Sequence, residues 1–202
     1  QVSYSTLAEV FVILNAADSS LGQIPQNHFG LLGVLREIGT EAQKRRFYGE
    51  VLAGRRLGNA GPERKADGAA TILHSGTRLR ATENGLRLTG KRFYSTGALF
   101  AHRIPVRAIN DEGQAVQVWV PREAPGLTVI DDWDAFGQRQ TDSGNVHFQD
   151  LRPSEPIEFL YDDLNLELFN LSTLPDDNAD MSLVATGPTG GRIDWTGRIS
   201  LV

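Results

Sequence analysis

Two short strings hold most of the residues in this chain that could do chemistry. One is Tyr94-Ser95-Thr96-Gly97, at the end of a strand-like run. The other is Gly137-Gln138-Arg139-Gln140-Thr141-Asp142-Ser143-Gly144, which gathers a cation, two hydroxyls and two glycines into eight positions. Hydroxyl donors, backbone N–H groups on glycine-permitted turns and one arginine as a paired charge are what a phosphate, or the polar edge of a flavin ring, requires. The same Ser95-Thr96 pair also serves as an ordinary turn cap, and the residues alone leave both readings open.

The remaining reactive groups are sparse. The chain has no cysteine, which excludes a disulfide framework, a thiolate metal site and a cysteine nucleophile, and fits a reducing, cytoplasmic setting. Its four histidines show no metal-ligand spacing, and there is no His-Glu-x-x-His, P-loop or Gly-x-Ser-x-Gly string. His28 lies on an otherwise apolar helical stretch, where it is either a core or interface histidine or a proton-transfer group. His74, His102 and His147 fall in or beside strands and read as sheet residues. Trp133, inside the acidic stretch Asp131 to Gly144, reads as an aromatic anchor of a loop over the sheet.

These groups need elements to hold them, and the pattern changes character near residue 54. Before it, Leu7, Val10, Phe11 and Leu14 recur at helical spacing, with Val12 and Ile13 making the opposite face apolar as well, so this helix is expected to be buried on more than one side. A second helix is expected to follow Pro25, in the first-turn position that proline tolerates. Thr40-Glu41-Ala42-Gln43 fits a capping box for a third helix that stops at Gly54. After it come seven short runs with strand alternation: Ala69–His74, Thr77–Ala81, Leu86–Tyr94, Ile104–Ile109, Ala115–Val120, Leu127–Ile130 and Asn145–Gln149. Turn signals such as Glu83-Asn84-Gly85 and Asp111-Glu112-Gly113 separate them.

The expected class is therefore α+β: a partial helical bundle over residues 1–54, then an antiparallel β-barrel-like domain over 55–156. Residues 157–202 carry no clear pattern. The first residue is Gln1 and the first helix is already under way, so the chain reads as a piece of something longer. With 202 residues, 40% hydrophobic, 22% charged and a net charge of -5, it lacks a nucleic-acid-binding face; its one basic run, Lys44-Arg45-Arg46, reads as a solvated helix surface. No apolar run reaches the ~20 residues that span a bilayer.

Three strings in one order go further. Arg56–Glu63 (RLGNAGPE), Leu88–Gly97 (LTGKRFYSTG) and Asp131–Leu151 (DDWDAFGQRQTDSGNVHFQDL) together resemble the middle β-domain of the acyl-CoA dehydrogenase superfamily. The resemblance is closest to its branch of reduced-flavin-dependent monooxygenases, which includes dibenzothiophene monooxygenase and the sulfur-acquisition oxidoreductases. It covers roughly Thr6 to Pro156. It implies a flavin cleft in which Tyr94, Ser95 and Thr96 meet the ring near N5 or its carbonyls, and Gly97 lets the backbone approach. Asn59 would bind the pyrimidine edge or ribityl chain, Arg139, Thr141 and Ser143 the phosphate end, and Trp133 would form an aromatic wall. His28 would face the reacting edge of the flavin as a candidate catalytic proton donor.

The cofactor implied is reduced FMN, supplied by a separate NADH-dependent flavin reductase and used with O2 on a small hydrophobic substrate, organosulfur compounds included. The alternatives are an FAD-dependent acyl-CoA dehydrogenase, and a non-catalytic remnant. The family's C-terminal four-helix domain, which drives homo-oligomer formation, is absent from this sequence. The expectation for this chain alone is thus little turnover, because its flavin would lie open to water.

Overall fold

The structure is a computed structural model that describes residues 3–64, 70–71, 76–152, 159–161, 180–186 and 192–198. The chain divides into two compact units, residues 1–161 and 162–202. The first carries the helices and the main sheet.

Helix α1 (Tyr4–Ala17) begins at Ser3, whose hydroxyl accepts the Thr6 N–H at 3.1 Å. It is less enclosed than its composition predicts. Leu7, Phe11 and Leu14 are half-buried and the Phe11 ring meets Phe29 edge-on at 5.9 Å, but Val12 and Ile13 remain 69% and 68% exposed. Helix α2 (Ser19–Ile38) starts earlier than expected, and Pro25 lies inside it. Asp18 sets the start: its carboxylate accepts the Ser20 N–H at 2.7 Å as an N-cap, and Pro25, about two turns further on, costs the helix one hydrogen bond without ending it. Helix α3 (Glu41–Leu52) has the expected capping box, with Gln43 N–H donating to Thr40 Oγ1 at 3.2 Å and Thr40 N–H to Gln43 Oε1 at 2.8 Å. Gly54, at φ +87°, takes the left-handed conformation that ends the helix.

Strands β1 (Glu63–Arg64) and β2 (Ala70–Thr71) pair as a short ladder; of the run expected over 69–74, the rest lies outside the described residues. The main sheet uses β3 (Arg78–Thr82), β4 (Gly85–Arg92), β5 (Arg103–Ile109), β6 (Ala115–Pro121), β7 (Leu127–Ile130), β8 (Asn145–Leu151) and β9 (Phe159–Tyr161). Their order is β7-β8-β4-β3-β5-β6-β9. The expected barrel is thus an open sheet, with β7 and β9 at its two edges rather than paired to each other. Nor is it wholly antiparallel. β3 meets β5 in parallel at Arg78 and Ile109, and Leu57 and Ala60 bridge β5 in parallel at Arg103 and Val106. Strand alternation fixes which side chains face the core; closure and direction depend on ladders between distant strands, which alternation does not encode.

Leu79, Leu88, Ile104, Val106, Val118, Val146 and Phe148 form the core of the sheet. A second cluster, Leu35, Phe47, Leu57 and Trp119, joins α2 and α3 to it, with the Phe47 and Trp119 rings 4.4 Å apart. Glu50 of α3 grips Arg103 of β5 through two hydrogen bonds of 2.6 and 2.8 Å, and those bonds hold its carboxyl below the ordinary range against the cost of burial. In the second unit β10 (Asp180–Thr186) pairs antiparallel with β11 (Arg192–Arg198), Asp180 opposite Arg198.

Candidate functional site

Strand β4 ends at Arg92, and the chain turns sharply. Tyr94 adopts φ 52° and Gly97 φ 73°, both left-handed. The turn is closed by Thr96 N–H to Tyr94 O at 2.9 Å and Ala98 N–H to Ser95 O at 3.0 Å. A second loop runs from β7 to β8, where Gln138 (φ 48°) and Asp142 (φ 46°) bracket a single 3-10 turn, Arg139–Thr141. Two backbone bonds join the loops: Ser95 N–H to Gly144 O at 3.0 Å and Gly97 N–H to Thr141 O at 3.2 Å. The two strings singled out in the sequence therefore form one structure.

Three hydroxyls bind that structure together. Thr96 Oγ1 lies 2.8 Å from Ser143 Oγ, which lies 2.8 Å from Thr141 Oγ1, which donates to Gln138 O at 2.9 Å. Each hydroxyl has one proton. Because Thr141 gives its proton to the carbonyl, Ser143 must donate to Thr141, and Thr96 to Ser143. The chain of donors is directed inward, and Thr96 keeps only acceptor capacity. Trp133 Nε1–H ends on the same Gln138 carbonyl at 3.1 Å, and the Tyr94 and Trp133 rings meet edge-on at 6.1 Å.

Ser95 differs from these neighbours. It is 1% exposed, and its Oγ is buried with no hydrogen-bond partner among the described residues. Such an atom costs about 1–3 kcal/mol and is uncommon in a settled fold. The Arg139 side chain is exposed and makes no hydrogen bond or ion pair among the described residues. An unfilled hydroxyl at a glycine turn, two aromatic rings beside it and a free guanidinium on the next loop fit a flavin. The buried Thr141 and Ser143 hydroxyls hold the loops in place.

Other elements frame the turn. Ser20 of α2 donates to Gln140 Oε1 at 3.3 Å, and a Cβ on Gly97 would come within 3.4 Å of Ile24. Gly58 packs so closely on the turn that a Cβ there would lie 2.9 Å from both Ala98 Cα and Ala101 Cβ; the half-buried Asn59 follows it. Sequence reading missed the role of Asp132, which accepts the Asn145 N–H at 2.9 Å and also takes the Asn145 side-chain amide. It also missed Asp142, whose carboxyl is pushed up by burial and by the neighbouring Asp131 and Asp132. Consecutive aspartates in a loop look like solvated turn residues, and only the fold brings Asp142 back beside them.

His28 is placed differently from the rest. Its Nδ1 accepts the Leu57 N–H at 3.1 Å, so the ring proton sits on Nε2, and no hydrogen bond joins it to Ser95, Thr96, Arg139, Thr141 or Ser143 among the described residues. Burial lowers its pKa from the ordinary value. Because the folded state disfavours the proton, the stabilisation is full above about pH 6.5, the unfolded value, and is lost as pH falls through the lower folded value. The expected result is that the parent loses more thermal stability between pH 7.5 and 5 than a His28→Gln variant, which keeps an acceptor for Leu57. Parallel melting curves across that range would remove His28 from the pH response.

No family model matches the chain. Dibenzothiophene monooxygenase of Rhodococcus erythropolis is 30% identical over 164 residues, 78% of this chain and 38% of that protein. The probable acyl-CoA dehydrogenase YngJ of Bacillus subtilis is 28% identical over 144 residues, 68% of this chain and 35% of its own length. Among solved structures, TdsC of Paenibacillus sp. A11-2 in complex with FMN and indole superposes with a TM-score of 0.66 at 27% identity, over 80% of this chain and 39% of that one. The chain thus spans under two fifths of the length of these relatives. Over that span, in sequence and in fold, it matches the dibenzothiophene-monooxygenase-like flavin oxidoreductases of the acyl-CoA dehydrogenase superfamily.

Proposed function

We propose that this chain forms the flavin-contacting part of a monooxygenase that uses reduced FMN and O2 to oxygenate a small hydrophobic substrate, organosulfur compounds among them. The observation that carries the reading is the buried Ser95 hydroxyl, without a hydrogen-bond partner among the described residues, at the glycine turn where the two loops meet. That the flavin comes from a separate reductase, and that the full-length protein is a homo-oligomer, belong to the same proposal.

Reduced FMN, when bound, supplies the electrons for activating O2. The protein's residues orient and shield it. Ser95 offers a hydroxyl to the polar edge of the ring, and Thr96, its proton already committed to Ser143, offers an acceptor that suits the N–H of a reduced ring. Gly97 lets the backbone close in. Tyr94 and Trp133 wall the aromatic face, and Asn59 reaches the pyrimidine edge or ribityl chain. Arg139 takes the phosphate charge, while Thr141 and Ser143 hold its loop in register. His28, protonated on Nε2 and fixed by Leu57, is the proton donor of this reading.

An anaerobic titration of the full chain with reduced FMN tests it. Ser95→Ala is expected to weaken binding by about 1 kcal/mol, roughly fivefold, the usual scale for one buried hydrogen bond. Equal affinity in variant and parent would take Ser95 out of the site. Tighter binding of FAD than of FMN would favour the dehydrogenase-like alternative.

A further inference from the structure

The sequence contains one run of three adjacent cations, but the sheet assembles another group from residues that are not neighbours. In the β3–β4 ladder Arg80 stands directly opposite Arg87, and Arg78 opposite Thr89. Alternate residues share a face, so Arg78, Arg80 and Thr82 line one side of this ladder with Arg87 and Thr89. They surround a hollow of about 360 Å³ that also includes Gly76, Gly90 and, at its rim, Asp150. Gly90 must stay bare, because a Cβ there would lie 2.3 Å from Thr77 Oγ1.

Like charges directly opposite each other weaken an antiparallel pair. The compensation seen here is uneven. The exposed Arg80 side chain makes no hydrogen bond or ion pair among the described residues. The Arg87 side chain is only 10% exposed; it donates to the carbonyls of Asn84 and Leu86 at 3.0 and 2.9 Å, and its carboxylate partner is Asp150 at 3.5 Å, itself 64% exposed. Asp150 reaches that position from a left-handed backbone, φ 44°, which a non-glycine residue adopts at a cost. A long ion pair with an exposed carboxylate is weak, whereas a dianion can present several oxygens to two guanidiniums at once.

We propose that this hollow is a binding site for a multiply charged phosphate-type oxyanion, gripped by Arg80 and Arg87 with Arg78 alongside, in place of Asp150. It is separate from the site at Ser95: the extended strand from Arg87 to Arg92 alone spans about 16 Å. The inference does not rest on the flavin reading. Free pyrophosphate and a nucleotide diphosphate present the same chemistry.

Calorimetric titration of the full chain with inorganic pyrophosphate and with ADP, against sodium chloride at matched ionic strength, tests the assignment. Saturable binding of pyrophosphate is expected, weakened fivefold or more in Arg80→Gln and tightened in Asp150→Asn. Equal affinity for pyrophosphate and ADP identifies the anion alone as the ligand, while tighter binding of ADP identifies a nucleotide. The opposite signs of the two substitutions exclude a general loss of fold, since a merely damaged sheet binds less in both. Heats that follow ionic strength alone, or an unchanged affinity in Arg80→Gln, would overturn the proposal.

Discussion

Glu63→Ala is expected to destabilise the sheet by about 3–5 kcal/mol, the cost of removing one member of a buried ion pair and leaving the other uncompensated. Arg92 is 0% exposed and Glu63 7%, and their charged groups lie 3.2 Å apart. The guanidinium of Arg92 also donates to the carbonyls of Gly61 and Arg107, so it fills the gap between the end of β4 and the neighbouring chain segments. Glu63 receives the Thr77 hydroxyl at 2.6 Å, the Thr77 N–H at 2.8 Å and the Gly76 N–H. Without the carboxylate, the Gly76 and Thr77 donors lose this acceptor and the buried cation loses its counter-charge. Desolvation already lowers the Arg92 pKa to about 10, and Glu63 is the charge that raises it. Urea unfolding measures the loss. A change below about 1 kcal/mol would show that water reaches Arg92 and that the pair is not buried in solution.

The same pair has a pH signature. Burial pushes the Glu63 carboxyl up, but the Thr77 hydroxyl, the Gly76 and Thr77 N–H groups and Arg92 together bring it below the ordinary value. A depressed carboxyl contributes stability that is present above its unfolded value, about 4.3, and is lost as pH falls through the lower folded value. The gap between parent and Glu63→Ala should therefore be constant from neutral pH to about 5 and narrow as the pH falls below about 4.

Some of this architecture is legible along the chain and some is not, and the difference is one of range. The capping box at Thr40 is written in residues three apart, and Gly54 marks the helix end by its own conformational freedom. Strand alternation placed β5 and β6 within a residue of their observed bounds. The Tyr94–Gly97 and Gly137–Gly144 strings stand out because their turns require glycine and small polar residues. Their union depends on a hydroxyl contact between residues 47 apart, Thr96 and Ser143, which no local pattern shows. The same holds for Glu63 with Arg92, and for Arg80 opposite Arg87: each depends on ladder register. Pro25 misled because proline is a strong local signal for a helix start, whereas the start is marked by a single capping bond at Asp18, seven residues earlier.

Register also sets the last expectation, that Gly144→Ala will weaken binding of reduced FMN tenfold or more, about 1.4 kcal/mol. Gly144 sits where β7 hands over to β8, and a Cβ there would lie 2.3 Å from Ile130 O and 2.7 Å from Asp132 Oδ1. Asp132 can rotate; a backbone carbonyl in a ladder cannot, because Ile130 is paired with Asn145. The strand must therefore move, at a packing cost of about 1–3 kcal/mol. The Gly144 carbonyl moves with it, and that carbonyl holds the Ser95 N–H at 3.0 Å. Displacing it shifts the Ser95 hydroxyl and pulls on Ser143, and through it Thr96, so the whole turn loses its geometry at once. Truncating the Ser95 side chain removes only one hydrogen bond, which is why Gly144→Ala is the larger effect although it adds a single methyl group. Gly49→Ala is the control: nothing lies within 4 Å of a Cβ there, and both fold and flavin affinity should stay at the parent value. Circular dichroism and thermal melting establish that Gly144→Ala remains folded before its affinity is read. A folded Gly144→Ala that binds reduced FMN as tightly as the parent would mean that the flavin does not depend on this turn, and the site would have to be sought elsewhere.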